Sequence, residues 1–375
     1  MTKVLILSTV HKINDVRIFY KEAKSLKKLN CEIYYAVQHE ELSEFSIDEI
    51  KILPLPKAKN EFDRITKVQY YAFRKILKIK PDIIHFHDPE LIPMVSICKL
   101  LFKSKVIFDI HENIVGSIDE KTYLNSFTKK MLKFIFPKIE KLFIKNFEAK
   151  IIAEKSYAEI YRENVIEILN YPILTTQKIS EKNFKSELNF IYSGSITELR
   201  GIFQTLDIFL DILKETKISH KLHLVGDFYP ESLRSEIILF CKKNNIEENV
   251  VIYGRIPLEK IYEILRECHI GFSLLAPIKN HIASLPTKIF EYMLFGLPVI
   301  VSDFEIYNNY IIQNDTGITV DYSDSQKSSK MIINMIRDVN HLYIMSENGR
   351  NSVQNKWNWN SEEKKLLNLY EKLLN

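Results

Sequence analysis

The stretch Leu285–Asp303, LPTKIFEYMLFGLPVIVSD, places a lysine where a helix disfavours one. Pro286 suits the opening of a helix, Gly296 the residue just past its end, and Pro298 followed by Val-Ile-Val a loop entering a buried strand. Lys288 then falls in the first turn, where the macrodipole favours anions, and Glu291 follows three residues on along the same side. Free N–H groups at a helix start and one ammonium make a phosphate seat, and a carboxylate one turn deeper can accept hydrogen bonds from sugar hydroxyls. That combination suits a nucleotide diphosphate held by Pro286, Thr287, Lys288 and Glu291. Taken alone, the same pair is an exposed i,i+3 ion pair worth a few tenths of a kcal/mol. The segment YSGSITELRGI adds weight to the first reading. Ser193-Gly194-Ser195 lets backbone approach a ligand closely, and Arg200-Gly201 opens the next helix with a guanidinium suited to phosphate. Arg200 and Lys288 are the expected pyrophosphate pair, with Gly194 and Ser195 beside them.

The elements that would position these residues follow from hydrophobic patterning. Short Val- and Ile-rich runs alternate with helical patterns: VLILSTV, CEIYYAV, DIIHFHD, VIFDIHE, KIIAEKS and VIEILNYP in the first half. The alternation restarts with LNFIYSGS, KLHLVGDF, NVVIYGRI, HIGFSLLAP, LPVIVSD and TGITVDY. Strands alternating with helices make a parallel sheet covered on both faces, and two such series predict two Rossmann-like, doubly wound α/β domains in tandem. A chain of 375 residues also exceeds what one core usually serves. The expected domains are 1–170 and 171–355, divided near the polar segment TTQKISEKNFKSE, with a ligand in the cleft between them. The final stretch, 356–375, reads as a helix capped near Ser361 that crosses back to the first domain, with Trp357 and Trp359 packed against the fold.

Composition bounds the function classes. With 46% hydrophobic and 27% charged residues the chain is ordinary for a soluble globular protein. No apolar run reaches the roughly 20 residues that span a bilayer, and MTKVLILSTVHK is too quickly polar for a signal peptide, so a cytoplasmic protein is expected. Cys31, Cys98, Cys241 and Cys268 lack metal-site spacing and read as reduced core thiols. The position after the first strand reads STVHKIN, which excludes the GxGxxG of an NAD or FAD domain, and neither a Walker A sequence nor an Asp-x-Asp pair occurs. No nucleic-acid partner is implied. Residues 1–170 hold 29 Lys+Arg against 23 Asp+Glu, whereas 171–375 hold 23 against 25. Much of that excess lies in 127–150, FTKKMLKFIFPKIEKLFIKNFEAK, a basic amphipathic stretch that could rest on an anionic membrane surface or pack as an ordinary helix. Alternation puts His85 and His87 on one face of a strand, but no nearby third ligand supports a metal, and none is expected.

Together SGSITELRGI, LVGDF, VIYGRIP and PTKIFEYMLFGLPVIVSD resemble the GT-B fold glycosyltransferases, and within them the retaining group called family 4. DIIHFHDPEL, VIFDIHENI and the final Trp- and Tyr-bearing helix extend the resemblance over nearly the whole chain, and STVHKINDVRIF is similar to enzymes of capsule, exopolysaccharide and O-antigen assembly. The resemblance implies transfer of a hexose from a nucleotide-diphosphate sugar, UDP-sugar favoured, to a glycan or lipid-linked glycan acceptor. It implies no cofactor and no metal, and a place at the inner face of the cytoplasmic membrane. It puts the nucleoside base against Gly254-Arg255-Ile256, the ribose on Glu291, and His111 near the donor sugar, oriented by Asp109 or Glu112. Catalysis would rest on His111, Arg200 and Lys288. Acceptor contacts would come from His11, Asp15 and Arg17 after the first strand and from His87, Asp88 and Glu90 after the third, since strand C-terminal ends are where such folds place ligands. One departure is Ala283, where many members carry a first glutamate eight positions before the residue matching Glu291. It leaves the donor sugar open and keeps two alternatives in play, a non-catalytic partner subunit and a sugar-nucleotide epimerase.

Overall fold

A computed structural model describes residues 1–111, 129–131, 133, 134, 138, 142–161, 163–175, 179 and 181–374. The chain forms two compact units, one of Met1–Asn170 with Trp359–Asn375 and one of Tyr171–Asn358.

In the first unit, β1 (Thr2–Leu7), β2 (Cys31–Gln38), β4 (Ile50–Leu55), β5 (Ile83–Phe86), β6 (Lys105–Ile110), β7 (Ala149–Ile152) and β8 (Val165–Glu167) are parallel, and β3 (Phe45–Ile47) runs antiparallel at the edge. The order is β3-β4-β2-β1-β5-β6-β7-β8, so the chain reverses its direction of winding between β1 and β5. Strands buried on both faces explain the continuous Val, Ile and Leu runs, and all four residues of β5 are buried although one is His85. The hairpin β3–β4 is absent from the alternation read in the sequence. Pro54 obscures it, yet β3 pairs only Ile50–Ile52, leaving Pro54 where the outer edge is open and proline is tolerated.

The second unit has β9 (Asn189–Ser193), β10 (Lys221–Val225), β11 (Val250–Gly254), β12 (Ile270–Ser273), β13 (Val299–Ser302) and β14 (Gly317–Val320), all parallel, in the order β11-β10-β9-β12-β13-β14. This is the doubly wound order, with its reversal between β9 and β12. Helices Ile202–Thr216 and Ser325–Arg337 contribute to its core, which gathers Phe190, Phe209, Phe272 and Ile332. A two-domain, mostly parallel α/β architecture is thus what the sequence predicts and what forms.

The last helix begins two residues earlier than predicted, at Trp359, and runs to Leu374. Trp359 explains this: it is 3% exposed, its indole Nε1 donates to Ser25 Oγ at 3.0 Å, and Lys21 Nζ lies 5.8 Å from its ring centre. Glu362, also buried, accepts from the Leu169 backbone N–H at 2.8 Å. Trp357 stays with the second unit, against Phe290 and Tyr310. Among the described residues no helix is long and apolar enough to cross a membrane. Nine residues of the basic stretch 127–150 lie outside the described residues; within its described part Met131, Phe134 and Leu142 are exposed, and Ile144 and Phe147 are buried.

Candidate functional site

In the second unit the predicted donor residues gather at the C-terminal end of β9, beside the reversal in strand order. Gly194 and Gly226 leave β9 and β10 with φ of +102° and +146°, and a Cβ on Gly226 would sit 1.8 Å from the Gly194 carbonyl oxygen. Only glycine lets these two loops touch. The turn Glu198–Arg200 follows, with Thr197 Oγ1 accepting from the Arg200 N–H at 3.1 Å and Gly201 closing it at φ +69°. Arg200 is exposed and Ser195 half-buried. Beneath them Tyr192, fully buried, donates its hydroxyl to Arg200 O at 3.0 Å and Ser195 O at 3.3 Å.

The helix Thr287–Leu294 starts with Pro286 as its N-cap. Lys288 in its first turn is half-buried, with Nζ 4.1 Å from the centre of the Tyr192 ring. Burial, reinforced by the charge of Arg200 and opposed by that of Glu291, brings the ammonium down to about 7. An ammonium so placed gains from any anion that restores its charge. The helix is pinned from below: Tyr292 Oη accepts from the Ser193 N–H at 2.8 Å, and its ring lies where a Cβ on Gly271 would fall, 2.2 Å away. Arg255 and half-buried Ile256 follow β11, two strands away from β9; Arg255 is exposed and pairs with Asp227 at 3.2 Å. Tyr192 and Tyr292 escaped sequence reasoning because a buried tyrosine in a strand or helix reads as core. Only their hydroxyls, which a core phenylalanine would lack, signal more.

In the first unit the candidate residues collect where β1, β5 and β6 end. Asp88, 3% exposed, accepts from the Thr9 N–H at 2.5 Å and Ser8 Oγ at 2.9 Å, locking the loop after β1 to the one after β5. Asp15 caps the helix Val16–Ala23 by accepting from the N–H groups of Arg17 and Ile18, at 2.9 and 3.0 Å, and meets His11 Nδ1 at 3.0 Å. Burial favours its neutral acid, but the His11 bond and charge outweigh that and hold it at about 2. Glu90 Oε1 accepts from Thr9 Oγ1 at 3.1 Å and pairs with Arg64 Nε at 2.8 Å. His111 is 16% exposed at its side chain, with its Nε2 3.0 Å from His87 Nδ1 and 3.5 Å from Asp109 Oδ1. Glu112 lies outside the described residues.

Arg17, His87 and Asp88, expected at an acceptor, turn inward. Arg17 is 4% exposed and grips Asp109 with Nε and Nη2 at 2.9–3.1 Å, while its Nε also lies 3.0 Å from Glu22 Oε1. Against the pull of burial, that guanidinium holds Asp109 well below the usual carboxylate range, whereas burial and the Asp109 charge push Glu22 well above it. Burial also keeps His85, at about 4, and His87 neutral near pH 7. His85 Nδ1 meets Tyr370 Oη at 2.9 Å. The premise that His85 and His87 lack a further donor is corrected here. Glu22 and Asp109, remote in sequence, bring carboxylate oxygens to them, and one donor atom from each of the four residues lies within 4.8 Å of the others.

The family described as Glycosyl transferases group 1 matches residues 175–352. An uncharacterized glycosyltransferase of Methanocaldococcus jannaschii is 22% identical over 96% of this chain and 91% of its own length. Among solved structures, sucrose-phosphate synthase of Thermosynechococcus elongatus superposes with a TM-score of 0.77 at 14% identity, covering 100% of this chain and 99% of that one. Anabaena HepE, solved in complex with UDP and glucose, does so with 0.73 at 12% identity, covering 99% and 100%. The chain therefore has a two-domain α/β fold of the GT-B type, and its residues 175–352 are similar to the Glycosyl transferases group 1 family.

Proposed function

We propose that the protein is a retaining hexosyltransferase of the family 4 type that moves a sugar from a nucleotide-diphosphate donor, UDP-linked, to a lipid-linked glycan in cell-surface polysaccharide assembly. The observation that carries this reading is Lys288, seated on the Tyr192 ring at a helix start, near the charge of Arg200 and brought down to about 7. Breaking the glycosidic bond leaves negative charge on the diphosphate. Arg200, Lys288 and the positive end of the Thr287–Leu294 helix dipole offset that charge without calling on a metal at the phosphates. Gly194 and Ser195 give the phosphates close backbone, Glu291 takes the ribose, and Arg255 with Ile256 borders the base. His111 addresses the donor sugar. His11, Asp15 and Glu90 serve the acceptor, while Arg17, His87 and Asp88 hold those side chains in place. Exposed Phe134 and Leu142 among the lysines of 127–150 suit an anionic membrane surface at the cytoplasmic face, where a lipid-linked acceptor would be met.

Radiolabelled UDP-sugars offered with bacterial membrane lipid extract test the reading by transfer of label to the lipid phase. Lys288→Ala and Glu291→Ala should each abolish transfer while keeping the circular dichroism of the wild type. Full transfer by either variant would sink the assignment. Release of nucleotide without a labelled lipid product would favour epimerisation instead.

A further inference from the structure

We propose that Glu22, His85, His87 and Asp109 form a buried site for a single divalent transition metal of the zinc class, behind His111 in the first unit. Three atoms there, Glu22 Oε2, His85 Nε2 and His87 Nε2, have no hydrogen-bond partner among the described residues, and their residues are 0%, 0% and 2% exposed. They face one another. His87 Nε2 and His85 Nε2 lie 3.6 and 4.0 Å from Glu22 Oε2, and His85 Nε2 lies 3.9 Å from Asp109 Oδ2. These separations exceed the roughly 2.7–3.2 Å of a hydrogen bond. They come close to the edge of a coordination tetrahedron, where bonds of about 2.0–2.1 Å set donors roughly 3.3–3.4 Å apart.

The ring nitrogens turned away from the centre are both engaged, His85 Nδ1 with Tyr370 Oη at 2.9 Å and His87 Nδ1 with His111 Nε2 at 3.0 Å. With each Nδ1 carrying the proton, both Nε2 lone pairs are left available to a cation, as in histidines that ligate a metal and donate from their other nitrogen. Arg17 sits against both carboxylates, Nε 3.0 Å from Glu22 Oε1 and Nη2 2.9 Å from Asp109 Oδ2, and a bound cation would take the place of the proton that burial favours on Glu22. Two imidazoles and two carboxylates favour a borderline dication over magnesium or calcium, which prefer oxygen alone. The bond to His87 ties the site to His111, and a metal would fix the tautomer of that pair. Metal occupancy does not depend on sugar transfer, so the two readings can fail separately.

Full-length protein purified without a chelator or a histidine tag should carry about one equivalent of zinc-class metal by elemental mass spectrometry. Reconstitution with Co2+ should give the visible bands of a four-coordinate site. Glu22→Gln and His85→Gln should each lose the metal, and His341→Gln, altering a surface histidine of the second unit, should retain it. Metal below about a tenth of an equivalent, with no cobalt bands, overturns the proposal and leaves a shared proton in its place. Metal that persists in both variants overturns it as well. If neither variant folds, X-ray absorption of the wild-type metalloprotein decides: two imidazoles with carboxylate oxygens support the site, and a shell of thiolate or water refutes it.

Discussion

Raising the pH from 7 to 9 should weaken UDP binding by up to about 50-fold, because Lys288 must be charged to hold a diphosphate. Burial brings this ammonium from 10.5 to about 7 in the free protein. Above that value each pH unit leaves about a tenth as much charged Lys288, and binding must draw a proton from solution. The cost is at most tenfold per unit, about 1.4 kcal/mol, until the pH reaches the value that the phosphates impose in the complex. Arg200 is a second cation of the proposed site, so binding declines without vanishing. The ligand contributes little, since a terminal phosphate is ionised above about pH 6. The same shift acts on folding with the opposite sign. The unfolded lysine binds its proton up to about 10.4, so between about 7 and 10 the unfolded state holds more protons and Lys288 makes stability rise with pH. Titration calorimetry at pH 8.5, in buffers of different ionisation heat, should show uptake of nearly one proton per UDP bound. Lys288→Met should bind weakly, with no uptake and a flat pH profile. Wild-type affinity unchanged from pH 7 to 9, or binding without proton uptake, would refute the reasoning.

Gly226→Ala places a Cβ 1.8 Å from Gly194 O on a backbone at φ +146°, so it should cost at least about 2–3 kcal/mol in urea unfolding and remove UDP binding with it. Trp359→Ala empties a buried site and removes the indole donor from Ser25 Oγ, which keeps its own bond to Lys21 O, at a cost of about 3–5 kcal/mol, and limited proteolysis should then clip the last helix first. His269, whose Nδ1 accepts from the Asn189 N–H at 3.0 Å, is brought by burial to about 4, below its unfolded value near 6.5. Its folded state resists protonation, so stability should fall as the pH drops from about 6.5 to 4, by about 2 kcal/mol after allowance for partial solvent access. The slope should flatten in His269→Gln, and an unchanged slope would assign the loss elsewhere.

Most sheet strands were legible because burial on both faces writes a nearly unbroken apolar run into the sequence; among the described residues twelve of fourteen appear as such runs, the partly exposed β8 and β11 included. The short β3–β4 hairpin escaped because a proline masks it. On the donor side, proline, glycine and lysine near a helix start point to the proposed phosphate seat through backbone rules alone, which is why Pro286, Lys288 and Gly194 are candidates from sequence. What Tyr192 does for Lys288 could not be read, since it depends on which strand lies under which helix. In the first unit the same limit is sharper. Arg17 and Asp109 stand 92 residues apart, and their contact exists only because the helix after β1 crosses the end of β6. A histidine in an apolar strand reads as core until its partners are known, and for His85 those partners include Tyr370, in the last helix of the chain.

That last helix sets an order of events during synthesis. The first unit emerges from the ribosome through Asn170, but Trp359 and Glu362, which cover Ser25 and tether Leu169, follow only after the whole second unit has been made. At about 5–20 residues per second the interval is roughly 10–40 s. During it, the surface awaiting Trp359 is open to chaperones and to premature association, while the second unit can already fold. A message truncated between Asn170 and Trp359 would therefore yield a first unit lacking the helix that covers Ser25 and tethers Leu169.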